Sequence, residues 1–472
     1  MLNFLNDLLW GKVLIFVLVA VGLLFTVASR FVQFRYFGKM FSILGQSTHR
    51  EEGHLSSFQA LVLSVAGRVG AGNIAGVAVA ITLGGPGAVF WMWAIALLGM
   101  ATSFFECTLA QVFKVAEPDG TYRGGPAYYI HRGLGNRWLA GIFSVLLLVT
   151  FGLGFNALQS YTVATAVNET FGLPTSITGI GLLVLLGLII FGGVKRIAEV
   201  SEFVVPIMAL GYFAMALFVM ATNLSEIPAV FGLIFSSAFG LNAVVGGGIG
   251  AALIFGVKRG LFSNEAGLGS APNVAAVAYV KHPVNQGIVQ SFSVFIDTII
   301  LCSCTAAIIL LSSVYEPGSD VGGVTLTQTA MAEHVGQWGQ VFVTLALLLF
   351  AFTSMIYNYY LGENSLSFFS DNDRWLLNGF RVLTLALVVW GASQDLTTVF
   401  GFADVTMGFL ALVNLFALVM LFKVGLKVMQ DYDQQVKAGI AEPVFESSQL
   451  PGVDLDTQAW PSARTPEEAI HY

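Results

Sequence analysis

The sequence predicts an all-α membrane protein of about eleven transmembrane helices, with the N-terminus outside and the C-terminus inside. Three observations predict this class: the composition, the apolar runs and the placement of positive charge. Of the 472 residues, 56% are hydrophobic and 10% are charged, whereas soluble domains carry about 25% charged residues. Cys107, Cys302 and Cys304 all lie in apolar runs, so we expect buried small side chains rather than disulfides or metal ligands.

The apolar runs give the predicted helices. A transmembrane helix needs roughly 20 mostly apolar residues. The short segment 225–240 is predicted to be an outer loop or a half-helix rather than a span. The eleven predicted spans lie near residues 13–30, 58–82, 87–113, 138–166, 176–194, 203–222, 241–257, 287–313, 338–366, 377–392 and 397–422.

The positive charges alternate from loop to loop. Loops that face the cytoplasm are expected to collect Lys and Arg. The loops after odd-numbered spans do so, and Lys258, Arg259 and Lys281 are placed after the seventh span. The loops after even-numbered spans contain no Lys or Arg, which supports eleven spans and the stated orientation. The Gly-rich segment 262–273 is predicted to be an inner loop that caps helix ends or gates the inner mouth.

The span count divides into two halves. Setting the first span aside leaves spans 2–6 and spans 7–11, and because five is odd the second set enters the membrane from the opposite side. This is the inverted-repeat topology of many secondary transporters. The predicted segments are a peripheral first helix with its loop at 1–55, a first five-helix repeat at 56–224, a second at 225–425 and a loosely ordered cytoplasmic tail at 426–472.

Glycine clusters interrupt the first span of each repeat, at residues 67–76 and 244–250. Each glycine costs about 1 kcal/mol in a helix relative to alanine. Unwound backbone deep in a membrane persists only inside protein or beside a cavity. Matching clusters in both halves therefore predict a binding site whose free N–H groups take a carboxylate and whose free carbonyls take a cation. Close packing of small residues between helices is the alternative.

Four long motifs occur in order along the chain: GRVGAGNIAGVA, GGPGAVFWMW, GTYRGGPAYYI and GVKRGLFSNEAGLGSAP. From about residue 56 to residue 425 the sequence resembles the sodium:alanine (or glycine) symporter family, within the group that shares the leucine-transporter-like fold. The resemblance implies sodium-driven import of a small neutral amino acid, with alanine or glycine first. It leaves the exact substrate open, because Arg68 stands where many members have a small polar residue.

The resemblance also implies a substrate site. The first glycine break supplies backbone groups and one amide side chain, the second glycine break forms the opposite wall, and a glutamine on the third core span reaches the polar groups of the substrate. Asn358 either serves this site or bonds between helices. The residues implied by the resemblance are Gly70, Ala71, Gly72, Asn73, Gln159, Val244, Gly246, Gly247 and Gly248.

A sodium site is implied on span 9. This span has adjacent hydroxyls at Thr353 and Ser354, and the carbonyl of Phe350 lies one turn earlier. By resemblance to the wider fold group, these oxygens join the carbonyls of Ala66 and Val69 to hold the coupling Na⁺. On the residues alone, both hydroxyls can instead bond back to carbonyls of their own helix.

Three charged residues, Arg68, Glu106 and Asp297, lie within predicted spans. An unpaired arginine costs at least about 2.5 kcal/mol at the bilayer centre. A rise of about 1.5 Å per residue places all three on the cytoplasmic side of the midplane, so we expect Arg68 to pair with Asp297, Glu106 or both, beneath the site, as an inner gate. A static ion pair and direct binding of the substrate carboxylate by Arg68 are the alternatives.

These observations favour a secondary active symporter of the bacterial cytoplasmic (inner) membrane, with a neutral amino acid, Na⁺ and the bilayer as partners. A proton-coupled carrier that uses Asp297 or Glu106, and import of a larger amino acid such as glutamine, are the alternatives. No predicted span holds a histidine, which disfavours an enzyme because the usual catalytic base is missing. Topology explains the basic loops without nucleic acid, no organic cofactor is expected, and a monomer is the default oligomeric state.

Overall fold

The chain folds almost entirely into helices. The structure is a computed structural model that describes residues 2–46, 55–118, 120–191, 193–240, 248–316, 322–370 and 373–461. One antiparallel hairpin pairs β1 (Val115–Ala116) with β2 (Tyr122–Arg123). The helices before residue 223 are α1 (Phe4–Ala28), α2 (Val32–Arg35), α3 (Phe37–Gln46), α4 (Ser57–Arg68), α5 (Gly72–Gly84), α6 (Gly87–Val112), α7 (Pro126–Tyr128), α8 (Arg137–Phe171), α9 (Thr175–Ile190) and α10 (Gly193–Thr222).

The remaining helices complete the chain. They are α11 (Ile227–Ala238), α12 (Gly248–Asn264), α13 (Ala271–Ala275), α14 (Pro283–Leu310), α15 (Gly323–Val335), α16 (Gln337–Ser367), α17 (Arg374–Ala392) and α18 (Leu396–Lys437). Wide π-helical turns lie at Leu9–Val13, Gly72–Gly76, Tyr129–Gly133, Leu148–Phe155 and Phe295–Cys302, and a short 3₁₀ turn lies at Ser447–Gln449.

Many of these helices are long enough to cross a membrane. Among the described residues, eight helices qualify by length and composition, and the bent pair α4–α5 makes nine. The predicted spans 176–194 and 241–257 correspond to α9 and α12, which are 16 and 17 residues long. Residues 241–247 lie outside the described part of the chain. The chain is a multi-pass membrane protein, and the count of eleven spans and the orientation stay predictions.

Local sequence signals set the ends of α4 and α5. Ser56 and Gln59 form a capping box at the start of α4, in which each side chain accepts the backbone N–H of the other at 3.1 Å. This arrangement satisfies two N–H groups that lack helical partners. At the end of α5, Gly85 has φ +73, a conformation that glycine adopts without strain. The turn into α6 is therefore sharp, and α5 and α6 pack as neighbours.

The core surrounds the broken pair α4–α5. Helix α6 packs against α12 and α14, while α16 packs against α4 and α12 packs against α5. Residues 99–112 of α6 are all buried. By contrast, α9, α10 and α17 present large apolar side chains to the outside, among them Leu188, Phe203 and Val382. The helices that carry the candidate site are thus shielded from lipid by outer helices.

The first and last described segments of the chain are docked on this core. Helix α1 packs against α6 and α18. The prediction of a loosely ordered tail is wrong for the described residues up to 461, because α18 continues to Lys437 and the following segment buries Phe445, Leu450 and Trp460. Three apolar anchors are enough to dock a segment whose average composition is polar.

Candidate functional site

The chain breaks between α4 and α5, and the two helices meet at an angle of 51°. Val69 has extended backbone dihedrals, φ −79 and ψ 95. Every residue from 59 to 81 is buried. Backbone N–H and C=O groups without helical partners must be satisfied within the protein when water is excluded. The break therefore concentrates polar main-chain groups inside an apolar bundle.

Four of the residues predicted to hold substrate, Gly70, Ala71, Asn73 and Gln159, meet at this break. The N–H of Ala71 donates to Oε1 of Gln159 at 3.0 Å, and the N–H of Gly70 donates to Oδ1 of Asn73 at 2.9 Å. A Cβ added at Gly70 would lie 2.4 Å from Oγ of Ser354 and 2.7 Å from Nε2 of Gln159. Position 70 requires glycine because Ser354 and Gln159 approach its Cα closely. The acceptors of the two N–H groups are the amide oxygens of Asn73 and Gln159, and a carboxylate can take their place.

Asn73 also joins the break to α14. Its Nδ2 donates to Oδ1 of Asp297 at 2.7 Å. The other carboxylate oxygen, Oδ2, accepts from the hydroxyls of Ser263 at 2.9 Å and Thr298 at 2.6 Å. Asn73 and Asp297 each lie in a π-helical turn, and such turns are frequent at functional sites. The structure thus places the carboxylate of Asp297 beside the predicted substrate residues.

Arg68 is held by uncharged groups. Its Nη1 donates to the carbonyl of Gln290 at 3.1 Å and to the hydroxyl of Ser293, and its Nη2 donates to Oγ of Ser103 at 3.1 Å. Within the described residues, no carboxylate oxygen lies within 4.0 Å of the guanidinium. The predicted direct ion pairs of Arg68 are therefore wrong.

The two predicted partners of Arg68 are satisfied elsewhere. Asp297 bonds to Asn73, as described above, and Glu106 accepts from the N–H of Gly267 at 3.1 Å and from Nδ2 of Asn414 at 3.0 Å. Uncharged N–H donors thus satisfy the two carboxylates in place of the Arg68 guanidinium. Arg68 still interacts with both carboxyl groups through charge at longer range, and an inner-gate role for the three residues stays a prediction.

Four of the five predicted sodium ligands converge on one point. Oγ of Ser354 lies 3.1 Å from the carbonyl oxygen of Ala66, 3.2 Å from that of Val69 and 2.9 Å from that of Phe350. The hydroxyl of Thr353 shares the carbonyl of Phe350 at 3.0 Å and also bonds back within its own helix. This set consists of uncharged oxygens, which suit a hard cation. We refer to these five residues as the oxygen cluster.

The structure describes only Gly248 of the four residues predicted for the opposite wall. Val244, Gly246 and Gly247 lie outside the described residues, and Gly248 is exposed at the start of α12. Gly248 stands about 22 Å along the helix from Ser263, at 1.5 Å per residue. A Cβ at Gly72 would instead lie 3.1 Å from Cα of Ser263 and 3.3 Å from the ring of Phe262. Ser263 and Phe262 therefore pack directly against Gly72.

A second interrupted helix lies beside the first. Helix α12 ends at Asn264, the chain adopts positive φ at Glu265, Gly267 and Gly269, and α13 follows. Helix α12 packs along α5, and α13 packs along α4. The segment predicted to be an inner loop is therefore a buried helix break at the level of the first one.

Lys258 and Arg259 are not loop residues, contrary to the prediction from charge. Both lie within α12 and are buried, and Oδ2 of Asp404 on α18 lies 2.7 Å from Nζ of Lys258 and 2.6 Å from Nη2 of Arg259. The carbonyl of Asp404 also accepts from Nε1 of Trp10 on α1 at 3.1 Å. Because this shared carboxylate offsets part of their positive charge inside the protein, α12 continues past both residues to Asn264.

Removing the charge of Asp404 is expected to destabilise the protein. Asp404→Asn leaves two buried cations without an anion, and breaking a buried pair in this way costs about 3–5 kcal/mol. We expect a lower melting temperature in detergent. The control is Asp395→Asn, since Asp395 is the exposed N-cap of the same helix and asparagine caps equally well. Equal melting temperatures for the two variants would contradict the assigned role of Asp404.

Sequence reasoning missed several side chains at the break. Oγ1 of Thr305 donates to the carbonyl of Asn73 at 2.6 Å, and it lies eight residues after Asp297, a spacing that puts both on one helix face. Phe262 and Ser263 gave no such signal. Asn358 is buried, and neither atom of its amide has a hydrogen-bond partner in the described structure. An unpaired buried amide is a ready partner for a polar ligand.

Comparison with known proteins identifies relatives of this chain. The model of the sodium:alanine symporter family matches residues 1–447. The amino-acid carrier protein AlsT of Bacillus subtilis is 47% identical over 98% of this chain and 97% of its own length. The probable sodium/glutamine symporter GlnT of the same organism is 45% identical over 98% and 95%. The sodium/proton-dependent alanine carrier protein of Bacillus sp. PS3 is 37% identical over 84% and 92%.

Solved structures show the same fold. A mutant of the manganese transporter of Eremococcus coleocola matches 90% of this chain and 86% of its own, with a TM-score of 0.53 and 14% sequence identity. At that identity the likeness concerns the fold alone, which is that of a membrane transporter. The family and its relatives are transporters and not enzymes. With a family match across nearly the whole length, the chain belongs to the sodium:alanine symporter family.

Proposed function

We propose that this protein imports a small neutral amino acid, alanine first, coupled to the sodium gradient by alternating access. The observation that carries the proposal is the adjacency of the oxygen cluster and the predicted substrate residues at one buried break. Val69 supplies a carbonyl to the cluster, and the next two residues direct N–H groups to Asn73 and Gln159. One short peptide segment therefore serves both the ion and the amino acid.

The substrate carboxylate is proposed to replace side-chain acceptors at the break. The N–H groups of Gly70 and Ala71 lie just before the N-terminus of α5, where free N–H groups and the helix dipole favour an anion. Gln159 and Asn73 then turn to other polar groups of the substrate. The wall formed by Phe262 beside Gly72 limits the space for a substrate side chain, which favours a small one. One relative is named for alanine and another for glutamine, so glutamine stays the alternative substrate.

Na⁺ is proposed to occupy the oxygen cluster. An ion there would replace the contacts that the hydroxyl of Ser354 makes with three carbonyl oxygens. Those carbonyls come from both α4 and α16, so the ion would join the broken helix to its neighbour. Binding of Na⁺ would thereby fix the break in the geometry that the amino acid needs, which is a positive coupling between the two sites.

The topology is proposed as eleven spans, N-terminus outside and C-terminus inside, in a bacterial inner membrane. The two interrupted helices support a first repeat at 56–224 and a second at 225–425, because their halves pack in opposite chain order. Moving Lys258 and Arg259 into a helix still leaves Lys281 on the predicted inner side. The positive loops therefore still alternate when Lys258 and Arg259 are counted as helix residues.

A proton-coupled carrier is the second candidate. The buried carboxylate of Asp297 bonds to Asn73 at the break, so a proton there would alter the substrate residues directly. A relative carries a name that includes both sodium and proton dependence. In this alternative Asp297, rather than the oxygen cluster, couples the gradient to transport.

An uptake assay in proteoliposomes separates these candidates. We expect labelled alanine to accumulate under an inward Na⁺ gradient and to stop accumulating when choline replaces Na⁺. Unlabelled alanine, glycine, serine and glutamine, added as competitors, should rank the substrates, with the small ones first. Protein-free liposomes are the control. Accumulation that persists in choline under a pH gradient alone would favour the proton-coupled carrier and contradict sodium coupling.

A further inference from the structure

A buried tryptophan anchors residues 438–461, the described part of the tail that follows α18. Nε1 of Trp460 donates to the carbonyl of Gln111 at the end of α6, at 2.9 Å. Nζ of Lys114 lies 4.5 Å from the centre of the Trp460 ring, a cation–π distance, and the Phe445 ring packs edge-on at 5.2 Å. An aromatic pair thus seats the tail against the end of α6.

Further contacts spread the tail over other elements. The N–H of Phe445 donates to the carbonyl of Lys281 at 2.9 Å, just before α14. Arg132, shortly before α8, lies 3.1 Å from Asp454 and 3.7 Å from Asp456. Exposed ion pairs of this kind stabilise little, so they set the position of the tail while the buried rings hold it.

The surface beneath the tail joins the two interrupted helices. Nε2 of Gln111 donates to the carbonyl of Ala278 at 2.9 Å, and the N–H of Tyr279 donates to the carbonyl of Leu55 at 3.0 Å. These contacts connect the segment after α13 to the residue that leads into α4. If α4 and α13 separate to open the buried break towards this face, the surface under Trp460 must deform.

We propose that the tail is a strap that holds the α13 end of both interrupted helices closed and is released whenever the break opens to that face. The inference builds on the proposed alternating access, but the closed state it describes exists without transport. Within the tail, five apolar residues are buried: Pro443, Phe445, Leu450, Ala459 and Trp460. A contact area of this size suits a segment that detaches and docks again in every transport cycle.

The reporter is a native cysteine. Cys107 on α6 is fully buried and clusters with Ala271 and Ala275 of α13, so it becomes accessible when α13 moves away. Cys304 on α14 serves as the internal reference, because Cys302 on the same helix contacts Asn73 and Ser263 at the break. Labelling with N-ethylmaleimide in proteoliposomes, resolved by peptide mass spectrometry, measures all three in the full-length protein without sodium or amino acid.

Trp460→Ala and truncation after Lys437 are expected to speed labelling of Cys107 at least about five-fold, as local opening becomes easier, with Cys304 unchanged. Trp338→Ala, which removes an exposed tryptophan from α16, is the matched control. Unchanged Cys107 labelling in both tail variants, or a parallel rise at Cys304, overturns the strap. Because the assay needs no transport, its outcome is independent of the sodium test.

Discussion

Ser354→Ala is expected to remove most sodium-dependent uptake while leaving the protein folded. The hydroxyl of Ser354 contacts three carbonyl oxygens, two from the end of α4 and one from its own helix α16. Loss of this ligand should raise the Na⁺ concentration for half-maximal uptake at least about ten-fold, equivalent to about 1.4 kcal/mol of binding free energy. Alanine uptake in proteoliposomes, measured as a function of Na⁺ concentration, gives this value directly.

A matched serine on the same helix provides the control. Ser365 is buried, and its hydroxyl donates back to the carbonyl of Leu361 at 2.8 Å. Ser365→Ala should therefore leave the sodium dependence unchanged. Thr353→Ala should have a smaller effect than Ser354→Ala, because its hydroxyl is shared with carbonyls of its own helix. If Ser354→Ala and Ser365→Ala respond equally to Na⁺, the oxygen cluster does not bind the ion.

Gly70→Ala is expected to abolish uptake through a steric effect at the break. The added Cβ would meet Oγ of Ser354 at 2.4 Å and Nε2 of Gln159 at 2.7 Å, closer than real Cβ contacts allow. The break must therefore shift, and both proposed sites shift with it. A displacement near 1 Å at a positioned site can cost about 100-fold in rate, so we expect uptake to fall by about that factor.

Gly250→Ala separates this effect from the general cost of altering a glycine in a broken span. Gly250 belongs to the second glycine cluster, and a Cβ there would meet nothing within 4 Å. Because the described break of the second interrupted helix lies at residues 265–270, this variant should retain uptake. A loss as large as that of Gly70→Ala would mean that the second glycine cluster is itself part of the site.

The two expectations share one physical cause. Val69 contributes its carbonyl to the oxygen cluster, and Gly70 and Ala71 contribute N–H groups to the proposed substrate site. A peptide segment has few independent degrees of freedom, because each peptide unit is planar. An ion that orients the carbonyl of Val69 therefore also orients the neighbouring N–H groups. Under the proposed function, this linkage makes amino-acid affinity depend on sodium.

Much of the first site was predictable from the sequence. Four glycines within ten residues, flanking Asn73, indicate where a helix breaks, because glycine has low helix propensity and little bulk. The resemblance to a family then implied Gln159 and Ser354 as partners, and the structure brings both to the break. These inferences depend on local chain properties or on residues in matched motifs, so they do not require the packing to be known.

The second site and the charges were not predictable in the same way. The cluster at 244–250 has more adjacent glycines than residues 265–270, yet the described break that faces the first one lies at 265–270, where Glu106 and Asn414 satisfy the freed backbone of Gly267. Likewise, Lys258 and Arg259 look like a loop signal from the sequence, but both pair with Asp404 inside the protein. In both cases the deciding groups come from distant helices.

The sequence by itself determined the class of the protein, most of its helices and the position of the first break, since composition, apolar runs and glycine content act locally. Only the tertiary structure decided which polar groups face each other: Arg68 bonds to hydroxyls and a carbonyl rather than to carboxylates, and Asp297 bonds to Asn73. The physical reason is that burying a polar group requires a partner within about 3 Å. Helix packing, which joins residues hundreds of positions apart, chooses that partner.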